Sequence, residues 1–136
     1  MKATIFFLGI SIFTSLTFSQ ELYGTWGHYR EVTVNTTSSG ANVPGTVYKF
    51  PVLVRLNSTN FPFSQAAGNG RDVRFAKTNT TPLKYQIESW DSAGGTASVW
   101  VLLDTVLGNS NIVSFRMYYG KAGATDSSNG ARVFDT

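Results

Sequence analysis

From residue 70 to residue 120 the chain is a succession of short alternating or aromatic runs, each closed by turn residues. The runs are Gly70-Arg71-Asp72-Val73-Arg74-Phe75, Leu83-Lys84-Tyr85-Gln86-Ile87-Glu88-Ser89-Trp90, Val99-Trp100-Val101 and Met117-Tyr118-Tyr119-Gly120. Period-two alternation sends successive side chains to opposite faces of a strand, and no helical period lasts longer than a turn. Such a chain folds by stacking sheets. The spacing predicts strands over Tyr29 to Val34, Val47 to Leu56, Asp72 to Ala76, Leu83 to Trp90, Thr96 to Leu103 and Asn111 to Tyr119, with Val133-Phe134 as a last short one. The expected fold is all-β, an antiparallel β-sandwich of jelly-roll or immunoglobulin-like kind with about seven or eight strands. Pro51 has no N–H for a ladder and marks its strand as an edge or a bulge. Phe61, Phe63 and Ala66-Ala67 are expected to form a short helical turn over the core. Trp100 is expected within that core.

The first nineteen residues read as a signal peptide. Lys2 supplies the positive start, Ile5 to Phe18 the apolar stretch, and Thr17-Phe18-Ser19 the small residues before a cleavage site at Gln20. The stretch is shorter than the ~20 apolar residues of a permanent span. No Cys follows it, which excludes a lipoprotein. Residues 20–136 then form a single domain, and its freedom from cysteine fits export from a bacterium. The formal net charge is +3, or +2 without Lys2, and the basic residues are scattered singly. Nucleic-acid binding calls for a basic stripe, and none is present. Charged residues are 14% of the chain, well below the ~25% of ordinary domains, with Ser, Thr, Asn and Gly in their place.

The order Lys49-Phe50-Pro51-Val52-Leu53-Val54, Gly70 to Phe75, Leu83 to Trp90, Val99-Trp100-Val101 and Tyr118-Tyr119-Gly120 resembles the bacterial domain-of-unknown-function family 2341. The opening Trp26-x-x-Tyr29-Arg30-x-Val32-Thr33-Val34 and the closing Asn129 to Asp135 look like that family too. The resemblance extends over roughly Tyr23 to Thr136. It implies an exported β-domain, often joined to a lectin-like jelly-roll module, and it brings no catalytic residue.

The candidate site residues are Asp72, Arg74 and three aromatics. Asp72 and Arg74 share one face of their strand and offer hydrogen bonds to sugar hydroxyls. The structural alternative has Asp72 satisfying turn amides and Arg74 paired to a carboxylate such as Glu88. Trp90, Tyr119 and Trp26, in that order, are the expected sugar-stacking platforms near strand ends. Adjacent Tyr118 and Tyr119 point to opposite faces, so one is expected inside and one outside. Glu88, Asp91 and Asp104 are the carboxylates a glycosidase would need in a facing pair, but Asp91 stands in a probable turn. His28 is the only histidine and there is no cysteine, so no Ser-His or Cys-His dyad beyond His28 and no nitrogen/sulfur zinc site can be built. Calcium on Asp72, Asp91 or Asp126 with backbone carbonyls stays open, and no catalytic residue, metal site or cofactor is assigned. Asn35, Asn57 and Asn79 fit the glycosylation acceptor pattern.

The expected function is a non-catalytic module of an exported bacterial protein, secreted or on the cell surface, in adhesion or glycan recognition. Its expected partner is a polysaccharide or a neighbouring domain, with no nucleic acid and no membrane span after signal cleavage. The alternative is a structural spacer positioning a lectin-like neighbour. A small glycan-active enzyme ranks last.

Overall fold

The computed structural model describes residues 21–77 and 81–135. The expected signal segment with its cleavage point, and the Asn79 acceptor, lie outside them. The strands are β1 (His28–Val34), β2 (Val47–Asn57), β3 (Arg74–Ala76), β4 (Tyr85–Asp91), β5 (Thr96–Val106) and β6 (Val113–Tyr119). They form two antiparallel three-stranded sheets, β1-β6-β3 and β2-β5-β4. Both sheets contribute to one buried cluster, the arrangement of a sandwich. Val99, Val101 and Leu103 line it from β5, and Phe115, Met117 and Tyr119 face them from β6.

Six strands stand where seven or eight were expected. Val133-Phe134 are not a strand but part of a short helix, α1 (Ala131–Phe134). Upstream, the tail already occupies the β4 edge: Asn129 N–H donates to Tyr85 O and Ser128 Oγ accepts from Ile87 N–H. The chain then turns at Gly130 and buries Val133. The helical turn over the core is Phe63–Gln65, and Phe61 and Phe63 are both buried.

Two irregularities change which residues face inward. A bulge between Ile87 and Ser89 adds Glu88 to β4, so that Tyr85, Ile87 and Trp90 pair with Val101, Val99 and Ala97. Trp90 thereby joins the core face that plain alternation assigns to Ser89. In β2, Lys49 has φ 49°, and the opposed pair Val47 and Val106 turns inward while Phe50 is left half-exposed.

Trp100 is a correction. It lies on the outer face of β5, on the opposite parity to Val99 and Val101, and is only half-buried, edge-on to Phe134 at 5.8 Å. A run apolar on both parities marks a strand covered on both sides, and here the outer cover is α1. Pro51 does fall on an edge strand, β2. Among the described residues no helix is long and apolar enough to cross a membrane.

Candidate functional site

Residues 21–27 cross the outer face of the β1-β6-β3 sheet in consecutive turns, fastened where Gly27 N–H donates to Gly120 O. This crossing assembles an aromatic row. Tyr23 packs edge-on to Trp26 at 4.9 Å and against Tyr118 at 5.2 Å, and Tyr118 in turn meets Tyr29 at 5.8 Å. Cations interleave with the rings. The Arg116 guanidinium lies 4.9 Å from the Tyr29 ring, and Arg74 and Lys121 lie 5.4 and 5.8 Å from Trp26. Tyr29, 55% exposed, is the open member of the row. Glu21 holds the covered end by accepting from Tyr118 Oη at 2.7 Å and from Arg116 at 3.2 Å. Burial pushes the Tyr118 phenol up from its ordinary pKa.

Asp72 and Arg74 are joined to this row. Trp26 Nε1–H donates to Asp72 O at 2.7 Å. The Asp72 carboxylate accepts from Ala67 N–H at 2.9 Å, Gly120 N–H at 2.9 Å and Lys121 N–H at 3.2 Å. It therefore ties the β2–β3 connection to the end of β6: its role is structural, but the amides it satisfies are not those of the turn after Gly70. Arg74 is buried and donates through Nη1 to Val73 O at 2.7 Å, Arg71 O at 3.0 Å and Tyr85 Oη at 3.2 Å, and through Nη2 to Thr125 O. Its expected pairing with Glu88 does not occur. Tyr85 is the β4 residue it reaches, and Glu88 lies three residues farther along, about 10 Å at strand rise. Burial raises the pKa of the Tyr85 phenol, against the opposing pull of Arg74, so it remains a donor to Val73 O.

The other two expected platforms lie elsewhere. Tyr119 is buried beneath His28, stacked at 5.3 Å, and meets Phe61 edge-on at 4.8 Å. Trp90 packs edge-on to Phe61 and Phe63 at 5.6 and 5.4 Å, and its Nε1 is buried without a partner among the described residues. Gly70, at φ 72°, lies flat against the indole, where an added Cβ would come within 2.6 Å of the ring. Tyr119 is fully inside, and Trp90 is partly buried, packed against the core with Gly70 on its ring. Tyr118 is buried as well as Tyr119, because the 21–27 crossing covers the face that alternation leaves outside.

The remaining polar candidates have local partners. Asp91 Oδ1 accepts from Gly94 N–H at 2.8 Å in the β4–β5 turn, and Asp104 pairs with Lys77 at 2.8 Å. Asn35 and Asn57 close turns through Oδ1 to Thr37 N–H and Thr59 N–H. Among the described residues no group of three His, Cys, Asp or Glu is placed to hold a metal.

Sequence reasoning passed over Tyr29 and Arg116 as site members. Their signal is cross-strand: Tyr29 pairs with Tyr118 and Glu31 with Arg116, on the face opposite Val32 and Phe115. That register is readable only once β1 is known to pair with β6.

A family profile described as "Domain of unknown function (DUF2341)" matches residues 69–136. The match spans β3 to the C-terminus and includes Asp72, Arg74, Trp90 and Tyr119; the Trp26–Val34 and Lys49–Val54 blocks lie before it. No curated protein and no solved structure matches the chain. With the family profile covering half of its length, and the two-sheet fold carrying those blocks in order, this chain belongs to the DUF2341 family.

Proposed function

We propose that the chain is a non-catalytic recognition module of an exported bacterial protein and binds polysaccharide on the outer face of the β1-β6-β3 sheet. The observation that carries this reading is the row Tyr23, Trp26, Tyr29 and Tyr118 with Arg116, Arg74 and Lys121 set among the rings. Flat rings take the apolar face of a sugar, and neighbouring cations donate hydrogen bonds to its hydroxyls. An open face with no deep cleft favours weak affinity, near millimolar, about −4 kcal/mol. A glycan array followed by titration tests it. Tyr29→Ala is expected to weaken binding at least tenfold in a chain that melts like the parent. Undiminished binding moves the site elsewhere.

The spacer reading has its own support at one end of the sandwich. Tyr48 (70% exposed), Phe50, Leu107 and Ile112 (77%) present apolar surface there, with Thr105 opposite Tyr48 and beside Leu107 and Ile112. Such a patch suits a neighbouring domain. If no polysaccharide binds the intact chain, this reading replaces the first.

A further inference from the structure

On the flank where β3 and β4 are the adjoining sheet edges, a hollow of about 300 Å³ opens beside Arg74. Tyr23, Lys84, Tyr85, Asn129 and Arg132 also line it, so three cations and no carboxylate surround the space. Arg74 is only 8% exposed, and every hydrogen bond it makes goes to a carbonyl or to the Tyr85 phenol. The ion pairs among the described residues are Lys77 with Asp104 and Arg116 with Glu21, which leaves Arg74, Lys84 and Arg132 without a carboxylate within 4.0 Å. The acidic group close enough to act on Tyr85 is Asp126, an exposed side chain engaged with Ser128 N–H. A guanidinium has five N–H donors. Here Nη1 is fully used and Nη2 half used, while Nε has no acceptor among the described residues. A buried cation left with neutral partners and spare donors, beside two further cations, is matched by an incoming anion. A planar carboxylate suits the guanidinium fork. Tyr23 belongs both to this lining and to the aromatic row, so a sugar stacked on the row can reach the hollow with an attached acid group.

We propose that this hollow binds the carboxylate of an acidic sugar unit, with Arg74 as its charge partner and Lys84 and Arg132 at its rim; the assignment rests on the polysaccharide-recognition reading. Calorimetric titration of the full chain at low salt compares trigalacturonate, its methyl ester and neutral galactotriose. The acidic trimer is expected to bind, the ester at least tenfold more weakly, and Lys84→Ala/Arg132→Ala to abolish that preference with the circular dichroism unchanged. Arg74→Lys keeps the charge without the fork and is expected to fall between. Equal binding of the acidic and neutral trimers, unchanged in the double variant but lost in Tyr29→Ala, overturns the acid site and leaves glycan recognition standing. Displacement of the trimer by equimolar acetate identifies simple ion capture and overturns the sugar assignment. Binding of no acidic or neutral glycan overturns both.

Discussion

The surroundings of Asp72 and of Arg74 bury opposite charges two residues apart on one chain segment. Around Asp72 the protein closes: one backbone amide five residues upstream and two from the end of β6 point at one carboxylate, and the Trp26 indole donates to the Asp72 carbonyl. Around Arg74 it closes on one side only, with carbonyl and phenol oxygens, and leaves a hollow on the other. Neither charge has an ionic partner among the described residues. The difference teaches how to separate structural from functional buried charge. An ion whose two carboxylate oxygens are both engaged by backbone amides holds the fold together. One with spare donors facing like charges is available to a ligand.

The harshest way to test that contrast is Asp72→Ala. It strands amides at Ala67, Gly120 and Lys121 together, so a loss of about 3–5 kcal/mol is expected in urea unfolding. A loss below about 1 kcal/mol would mean the cage is not structural, and the comparison would collapse. Arg74→Met keeps the volume and removes a charge whose partners are neutral. A smaller loss, about 1–3 kcal/mol, is expected, because under-satisfied carbonyls cost less than orphaned amides. A loss matching that of Asp72→Ala would make Arg74 a second fold anchor.

Tyr85→Phe sharpens the boundary between the two regions. It deletes one donor to Val73 O and one acceptor of Arg74, with an expected cost of about 1 kcal/mol by thermal melting. The smallest effect belongs to the exposed Lys77–Asp104 pair, an outside reference for the two buried charges. The hydrogen bond from Lys77 lowers the Asp104 pKa, so its stabilisation is present above the ordinary aspartate value of about 3.9 and is lost as pH falls through the depressed folded value. With both side chains about half exposed, Asp104→Asn is expected to change stability at pH 7 by less than ~1 kcal/mol. Unfolding curves of parent and variant should converge once the pH falls below the depressed folded value of Asp104, where its carboxyl is as neutral as the asparagine amide.

Much of the architecture was legible as period-two alternation. The strands of Val47 to Leu56, Thr96 to Leu103 and Asn111 to Tyr119 correspond to β2, β5 and β6 within a few residues, and the all-β class follows from them. The role of Asp72 was legible only in part, because two of its three amide partners, Gly120 and Lys121, come from the end of β6, beyond the reach of local spacing. The chemistry of local spacing thus marked six strands and the helical turn at Phe63, and narrowed the Pro51 strand to an edge or a bulge. Only tertiary structure decided the inward-facing side chains where alternation breaks. One extra residue at Glu88 turned Trp90 toward the core face, where it packs partly buried, and beside the left-handed Lys49 Phe50 is half-exposed. Burial on outer faces was likewise decided from far along the chain: residues 21–27 cover Tyr118, and α1 half-covers Trp100. The physical reason is the same in each case. Alternation is a property of neighbouring residues, whereas burial depends on which distant segment arrives to exclude the water, and that arrival is written in no local run of residues.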